Sequence, residues 1–457
     1  MMPRELKFRR FCEVIAETQE RLCVPGVAVG LWYEGQEYVQ GLGITSIEHS
    51  LPVTPDTLFQ VGSITKTFVA TAVMRLVDQH KIGLDIPIRA YLPDLQLADD
   101  ETAHAVTMRH LLTHTGGWLG DYFNDFGDSE NALARMVQQL AGLPQLTPLG
   151  KIWSYNNAGF YLAGRLIEVV TELPFEAAIK QLVFDPLDLE MTCFFLADVI
   201  THRFGVGHLV DVRQDTITVA RPWPVPRASA PAGGVISTVK DLLKYARFHM
   251  GDGRSPDGEC VLRRESLAEM QSPQVNIRGG FDMGLTWFIE PINGAACIRH
   301  GGATNGQMAE LKIIPSRDFA LVLLTNSNRG GDLIAEMAAY AVQEFLGLEA
   351  CVPEPIQLNE DRLTPYLGCY DSALGIMELT LQNGQLIGQL FPKGGFPTPD
   401  SPPPPVPPPI RLVFYQDDAV FVPEGSAKGS FGEFLRNPDG SIAWFRFGGR
   451  VRARVED

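Results

Sequence analysis

Residues 59–68 read FQVGSITKTF and place a candidate nucleophile beside a candidate base. Ser63 and Lys66 stand three residues apart, so on a helix both side chains project from one face and the amine can accept the serine proton. Ser63 follows Gly62 and opens a run to Asp78 that is apolar nearly all round, which predicts a buried helix. Amides at the start of a helix lack intrahelical partners, and the helix dipole favours negative charge there. The stretch therefore predicts a nucleophilic serine at the start of a buried helix.

The spacing of three residues is a weak signal alone, because it occurs again at Ser237 and Lys240. In that second copy Thr238 stands three residues before Asp241, an arrangement that caps the start of a helix. We therefore interpret Ser237 as a structural residue and Ser63 as the nucleophile.

The composition is that of a globular protein, because 45% of the 457 residues are hydrophobic and 20% are charged. A single core rarely grows beyond about 300 residues, so the length predicts two domains. The formal net charge of −16 disfavours a nucleic-acid partner, which would need clustered Lys and Arg. No apolar run approaches the roughly 18 residues that a membrane helix requires. We expect a soluble protein with neither a nucleic-acid nor a membrane partner.

The cysteines indicate a reducing compartment. All seven are scattered along the chain without a Cys-x-x-Cys pair. No His or Cys spacing suits a metal ion, and we predict no metal and no cofactor. Near the N-terminus, Glu13 and Glu17 interrupt the apolar segment that a signal peptide needs. We therefore expect a cytoplasmic protein.

Hydrophobic periodicity divides the chain near residue 350. Before that point helical patterns mix with strand patterns, and the clearest buried strand is residues 319–324. Residues 363–457 carry short alternating runs that are typical of antiparallel strands. The predicted architecture is an α+β domain over residues 1–350, a linker over 351–362 and a small antiparallel β domain over 363–457.

A proline-rich segment interrupts this β domain. Residues 396–409 contain nine prolines, which predict an extended, polyproline-like loop. We interpret it first as a solvent-exposed spacer and second as a site that docks a peptide.

The motif around Ser63 resembles the first active-site motif of the penicillin-recognising serine hydrolases. This superfamily includes class C β-lactamases and other peptidase S12-like enzymes, penicillin-binding proteins, esterases and D-aminopeptidases. Its second motif is Tyr-x-Asn, and residues 153–164, WSYNNAGFYLAG, match it at Tyr155 and Asn157.

The superfamily's third motif is Lys-x-Gly or His-x-Gly. Residues 299–307, RHGGATNGQ, match the histidine form at His300 and Gly302. Residues 232–242, AGGVISTVKDL, are similar to the family's glycine-rich turn before a helix. Each motif alone is common, but four in the family's order are a specific signal.

Three further matches to these motifs are interpreted as structural or accidental. Tyr122 precedes Asn124 by two residues but lacks the rest of the second motif, so we interpret it as a loop aromatic. His114 satisfies the bare third motif and is interpreted as a packing or loop-bracing residue. Lys393 also satisfies it, but falls in the β domain beside the proline-rich segment.

The resemblance implies a β-lactamase/transpeptidase-like fold, with an antiparallel sheet flanked by helices and a mainly helical subdomain. The C-terminal domain also resembles, at residues 366–370, the lipocalin-like barrel of some D-aminopeptidase relatives. From that arrangement we expect residues 356–457 to influence substrate range or assembly while Ser63 stays reactive without them.

The resemblance also implies the roles of the site residues. Ser63 would attack the substrate carbonyl, and either Lys66 or Tyr155 would take its proton. The backbone amides of Ser63 and Ala303 would form the oxyanion hole. The substrate would be oriented by Asn157, His300 and Gly302.

The histidine form of the third motif bears on the substrate. A neutral His300 attracts a substrate carboxylate poorly near pH 7, where lactam-recognising relatives use lysine. We therefore predict a hydrolase of small esters, amides or short peptides, esterase- or D-aminopeptidase-like. The alternatives are a β-lactamase or D-Ala carboxypeptidase-type activity and, from another class, a non-catalytic scaffold or sensor. The sequence leaves a homo-oligomer open.

Overall fold

The structure is a computed structural model, and it describes residues 3–277, 279–349, 353–396, 398–425 and 427–455. In chain order, the strands up to residue 349 are β1 (Gly26–Tyr33), β2 (Gln36–Gly43), β3 (Phe59–Gln60), β4 (His208–Asp211), β5 (Thr216–Val219), β6 (Ile236–Ser237), β7 (Val275–Asn276), β8 (Asp282–Met283), β9 (Phe288–Ile292), β10 (Ala295–Thr304), β11 (Gln307–Ile314) and β12 (Phe319–Thr325). The helices are α1 (Arg4–Arg21), α2 (Thr65–Asp78), α3 (Asp100–Ala105), α4 (Met108–Leu112), α5 (Ala132–Gln138), α6 (Ala158–Thr171), α7 (Phe175–Ile179), α8 (Leu196–Val199), α9 (Ala230–Gly233), α10 (Val239–Met250), α11 (Arg264–Met270), α12 (Gly330–Leu346) and α13 (Glu360–Leu363). Within the described ranges, no helix is both long enough and apolar enough to span a membrane.

The main sheet has eight antiparallel strands in the order β2-β1-β12-β11-β10-β9-β8-β7. Strand β12 is buried along its whole length because it lies between β1 and β11. Successive side chains of a strand point to opposite faces. Accordingly, Leu321 and Leu323 join the apolar cluster of α1 and α12, while Val322 and Leu324 join the cluster of α2 and α10. The sheet is therefore the middle layer between two sets of helices.

Helix α2 is buried on almost every side, as its apolar pattern predicted. A 3-10 turn at Gly62–Ile64 precedes it, so the α-helix begins two residues later than the pattern indicated. It contacts α6, α9 and α11. This position places the start of α2, with Ser63, where the helical part of the domain meets the sheet.

The C-terminal part of the chain is a closed antiparallel barrel. Its strands are β13 (Gly368–Ser372), β14 (Gly375–Gln382), β15 (Gln385–Pro392), β16 (Ile410–Gln416), β17 (Ala419–Phe421), β18 (Phe431–Arg436), β19 (Ile442–Phe447) and β20 (Arg450–Arg454). The barrel closes where Tyr370 of β13 stands opposite Arg454 of β20. Its interior is aromatic, with the rings of Phe434 and Phe445 stacked 4.5 Å apart. The predicted fold class, an α+β domain followed by a small antiparallel β domain, is confirmed.

The predicted linker is only partly described, because residues 350–352 lie outside the described residues. The amide of Ile356 donates a 2.8 Å hydrogen bond to the carbonyl of Phe414 in β16. The chain has therefore joined the barrel by residue 356.

The layer formed by α1 gives a test of the packing. Phe11 is fully buried, and its ring lies 5.9 Å from the rings of both Tyr340 and Phe345 in α12. Truncation of a buried phenylalanine leaves a cavity, so we expect Phe11→Ala to lower the free energy of unfolding by about 3–5 kcal/mol. Urea unfolding followed by fluorescence measures it. Leu6→Ala on the same helix is the control, because Leu6 is 46% exposed and should cost little; equal losses for the two variants would contradict the assigned layer.

Candidate active site

Ser63 lies where the turn before α2 meets strand β10, and the two backbones touch. A side chain on Gly302 is excluded, because an added Cβ would lie 1.9 Å from the Val61 carbonyl oxygen and 3.0 Å from the Ser63 nitrogen. Gly62 has a φ of +51°, and its Cβ would lie 2.6 Å from the Ala303 nitrogen. Glycine permits both the left-handed backbone and the close approach. The amides of Ser63 and Ala303 therefore belong to two backbone segments in direct contact.

Lys66 is fully buried on α2, one turn after Ser63. Its Nζ lies 3.1 Å from Ser63 Oγ and donates a 2.6 Å hydrogen bond to the Ala232 carbonyl oxygen. Burial, and next the charge of Arg450, hold the pKa of the Lys66 amine well below its usual range. An amine whose protonation is disfavoured therefore lies within hydrogen-bond distance of the candidate nucleophile.

Tyr155 faces the same two groups. Its hydroxyl shares a hydrogen bond with the Ser63 side chain, and its ring centre lies 4.9 Å from Lys66 Nζ. Burial raises the pKa of the Tyr155 phenol above its usual value. The site therefore disfavours a phenolate and favours a neutral amine, a distinction that the sequence left open.

His114 lies beneath the second motif and braces it. Its ring stacks on the Tyr155 ring at 4.3 Å, and its Nδ1 accepts a 3.0 Å hydrogen bond from the Asn156 amide. The His114 carbonyl oxygen accepts another from the Ser154 amide at 3.0 Å. His114 is thus a loop-bracing residue, as its sequence context indicated.

His300 is a buried residue of β10 whose ring centre lies 6.3 Å from that of Tyr155. Its Nδ1 lies 2.6 Å from the Gly301 carbonyl oxygen, which assigns the proton to Nδ1. Within the described part of the chain, its Nε2 has no hydrogen-bond partner. Burial, followed by the charge of Lys66, lowers the pKa of His300 to about 3. The imidazole is neutral near pH 7, so it presents an acceptor rather than a positive charge.

An ion pair that the sequence did not reveal stands over Tyr155. Arg450, in the barrel, donates from Nε and Nη2 to the two carboxylate oxygens of Asp121 at 2.6 and 3.0 Å. The guanidinium centre lies 5.0 Å from the Tyr155 ring centre. Burial opposes the charge of Arg450, but Asp121 outweighs it and raises the arginine pKa. Asp121 also accepts a 2.9 Å hydrogen bond from Asn157 Nδ2, so one carboxylate joins the barrel to the second motif.

The turn between β19 and β20 holds the backbone of this motif as well. The Tyr155 amide donates to the Gly449 carbonyl oxygen at 2.8 Å, and the Val451 amide donates to Ser154 Oγ at 3.2 Å. An added Cβ on Gly449 would lie 3.1 Å from the Trp153 ring. The barrel therefore contacts the site, and the expectation that Ser63 keeps its reactivity without residues 356–457 stays a prediction.

Residues 11–344 match the family model described as Beta-lactamase. The chain belongs to the Beta-lactamase family. The predicted relation to the penicillin-recognising serine hydrolases is thereby confirmed.

Proteins similar to this Beta-lactamase family chain include a penicillin-binding protein, an esterase and SurE. "Penicillin-binding protein 4" of Amycolatopsis lactamdurans is 30% identical over 364 residues, which are 76% of this chain and 93% of the relative. "Esterase EstB" of Burkholderia gladioli is 34% identical over 205 residues, 42% of this chain and 51% of the relative. The crystal structure of SurE covers 99% of this chain and 100% of its own, with a TM-score of 0.76 and 25% identity. SurE with D-Leu aligns at a TM-score of 0.73 and 24% identity over the same shares of the two chains.

In this Beta-lactamase family chain, the second Ser-x-x-Lys sequence makes hydrogen bonds that stabilise the fold. Ser237 Oγ lies 2.8 Å from Thr192 Oγ1. Thr238 accepts a 3.2 Å hydrogen bond from the Asp241 amide at the start of α10, the capping role that the sequence indicated.

Tyr122 and Lys393 also have structural partners. The Tyr122 carbonyl oxygen accepts a 2.9 Å hydrogen bond from Tyr161. Lys393 pairs with Asp371 on the barrel.

Removal of either member of the ion pair over Tyr155 should shift the pKa of Lys66, and the two shifts should have opposite signs. The charge of Arg450 lowers the pKa of Lys66 and the charge of Asp121 raises it. We expect Arg450→Met to move the acid limb of Ser63 labelling by a fluorophosphonate to higher pH, and Asp121→Asn to move it to lower pH. Loss of orientation at Tyr155 should also slow labelling roughly 10- to 100-fold in either variant.

The control is Arg411→Met, which breaks an exposed ion pair with Glu424 elsewhere on the barrel. It should leave both the rate and the acid limb unchanged. Shifts of equal sign in the Arg450 and Asp121 variants would contradict an electrostatic role for the pair.

Proposed function

We propose that this chain is a serine hydrolase that forms an acyl-enzyme through Ser63 and cleaves small esters, amides or short peptides. The observation that carries the proposal is the buried Lys66 amine, 3.1 Å from Ser63 Oγ and with a lowered pKa. A positioned base of this kind activates a serine hydroxyl that is otherwise a weak nucleophile.

The first step joins Ser63 Oγ to the substrate carbonyl carbon while the Ser63 proton moves to the lone pair of neutral Lys66. A hydrogen of the same amine remains bonded to the Ala232 carbonyl oxygen, which orients the lone pair toward Ser63. Tyr155 stays protonated and relays a proton from Lys66 to the leaving group as its bond to the acyl carbon breaks. Water then attacks the acyl-enzyme by the reverse route and releases Ser63.

The amides of Ser63 and Ala303 form the proposed oxyanion hole. Support comes from the close approach of their backbones, which Gly62 and Gly302 permit. Each such donor is worth roughly 3 kcal/mol of transition-state stabilisation.

Asn157, His300 and Gly302 orient the substrate in this proposal. Because Asn157 Nδ2 is bonded to Asp121, its Oδ1 is the end of the amide that would accept from a substrate N–H. His300 offers a neutral Nε2 acceptor. Gly302 contributes backbone of β10 for the substrate to lie against, and its missing side chain lets that strand approach the Ser63 turn closely.

The charge balance of the site favours esters and amides that carry no carboxylate over β-lactams. His300 is neutral, and the positive charge of Arg450 is balanced by Asp121, so neither supplies a net charge for a lactam carboxylate. Among the relatives, one is named an esterase and SurE has been solved with D-Leu, but two others are named beta-lactamase, so the names of the relatives do not decide between these substrates. A scaffold or sensor would not need Ser63, Lys66 and Tyr155 in mutual contact.

Ser63→Ala should abolish hydrolysis of p-nitrophenyl acetate and D-alanine p-nitroanilide, together with fluorophosphonate labelling. The expected fall in kcat is about 10⁴-fold or more, as for loss of other serine nucleophiles. Ser237→Ala is the matched control from the second Ser-x-x-Lys sequence and should keep the wild-type rate. Nitrocefin tests the β-lactamase alternative. A wild type that hydrolyses none of these and takes no label would contradict the proposal.

The pH profile of kcat/KM distinguishes the two candidate bases. With Lys66 as base, the rate rises as the amine loses its proton, and the lowered pKa places this rise well below the usual lysine value of 10.5. With a Tyr155 phenolate as base, the rate would still rise beyond pH 10, because burial raises the tyrosine pKa from 10.0. Hydrolysis of p-nitrophenyl acetate from about pH 5 to about pH 10 measures the profile. A plateau reached before the alkaline end supports Lys66, and a continuing rise contradicts it.

A further inference from the structure

The proline-rich segment is attached to the catalytic part of the chain at two points, although its sequence indicated a free spacer. It leaves the barrel after β15 and returns at β16, and residues 398–409 have no regular secondary structure. We call Phe396 and residues 398–409 the proline strap; Pro397 lies outside the described residues.

The proline strap emerges at the end of the barrel that faces the site. Gly375, at the start of β14, stands opposite Pro392, the last residue of β15. Strand β20 runs antiparallel to β13, with Asp371 opposite Ala453, so the β19–β20 turn lies at this same end. That turn presents Gly449 to Tyr155. The strap therefore begins at the same end of the barrel as the turn that contacts Tyr155.

The first attachment of the strap is aromatic. Phe396 packs edge-on against Phe123, with ring centres 5.1 Å apart. Phe123 stands two residues after Asp121, the partner of Asn157 and Arg450. This attachment therefore lies on the Tyr155 side of the site, and Phe396 remains 43% exposed.

The second attachment of the strap is to the β4–β5 hairpin. Arg213, in the turn between β4 and β5, donates to the Val406 carbonyl oxygen. The base of that hairpin joins the β10 side of the site, because the His208 amide donates to the Gly306 carbonyl oxygen at 3.1 Å. On the barrel itself, Gln389 Nε2 donates to the Pro407 carbonyl oxygen at 2.9 Å. The strap thus runs from the Tyr155 side of the site to the β4–β5 hairpin. The base of that hairpin is bonded to the turn between β10 and β11.

The chemistry of the strap suits a fixed rim. Proline locks φ and favours an extended helix that needs no internal hydrogen bonds, so the run loses little entropy when it is held in place. At about 3.1 Å per residue, the eight residues 402–409 can reach about 25 Å.

We propose that the proline strap is the outer rim of the substrate cleft and that Phe396 and Phe123 form its apolar contact for the acyl group. The inference rests on the proposed function, since it assigns the acyl preference of the same Ser63 site. Short acyl groups such as acetyl end before this rim. Longer aliphatic or aromatic acyl groups reach it and gain apolar contact there.

The test is a series of p-nitrophenyl esters from acetate through butyrate and hexanoate to octanoate. Phe396→Ala should lower kcat/KM for the octanoate roughly 4- to 15-fold, the value of one or two buried methylenes, and leave the acetate unchanged. Phe123→Ala should give the same pattern, and the double variant should lose less than the product of the two. Phe391→Ala is the matched control, because Phe391 is 42% exposed on β15 and should change neither ester.

Equal losses on acetate and octanoate, or an unchanged ratio between them, would overturn the proposed rim while leaving Ser63 as the nucleophile. A wild type that hydrolyses no ester and takes no fluorophosphonate label would instead remove the proposed function, and the rim with it. A strap whose residues 402–405 are replaced by Gly-Ser-Gly-Ser gives an independent measure. It should reduce discrimination between the esters because the rim loses its stiffness, and unchanged discrimination would count against the proposal.

Discussion

The burial of the Lys66 amine is the constraint on which the site depends. An ammonium ion placed inside a protein costs several kcal/mol unless it is paired, and such a group commonly loses its proton instead. Here the amine has a carbonyl oxygen and a hydroxyl as hydrogen-bond partners, and after burial the charge of Arg450 is the next largest cause that lowers its pKa, while Asp121 opposes that effect. Keeping water away from this amine requires α2 to be enclosed, and the enclosure is provided by neighbouring helices, by strand β10 and by the Tyr155 loop with the barrel turn behind it. The architecture buries one amine next to one hydroxyl, which disfavours the charged form of the amine.

The ion pair of Arg450 and Asp121 beside Tyr155 carries no net charge. The guanidinium of Arg450 lies over an aromatic face, where a cation is attracted electrostatically, and its charge is matched by Asp121. Removal of one partner from such a pair leaves an uncompensated buried charge, which is far more costly than the absence of both. The carboxylate also accepts a hydrogen bond from Asn157, so the same pair orients the side-chain amide of the second motif. Electrostatics and geometry at Tyr155 therefore cannot be varied independently.

The sequence predicted what depends on local pattern. The all-round apolar run after Ser63 indicated a buried helix, and the short alternating runs after residue 363 indicated an antiparallel β domain, because both signals arise within a few turns or one strand. The two-residue strands β7 and β8 have no period to detect. Arg450 was missed because its partner Asp121 is 329 residues away in the chain. A Gly-Gly-Arg turn between two strand patterns indicates a hairpin but not what the hairpin touches. The proposed preference for Lys66 over Tyr155 as base likewise rests on burial, which a spacing of residues does not contain.

The hydrogen bond from the Tyr155 amide to the Gly449 carbonyl oxygen has a thermodynamic consequence. It makes the assembled site and the docked arrangement of the two domains a single state, since separation of the barrel removes a backbone partner and a side-chain partner of the same loop. A molecule that binds only the assembled site therefore stabilises the docked arrangement by its own binding free energy, in proportion to the logarithm of its concentration once the site is saturated. By the reciprocity of linked equilibria, any contact that favours docking tightens binding at Ser63 by the same factor. Ligand binding at Ser63 and docking of the barrel are therefore linked, and a change in one shifts the other.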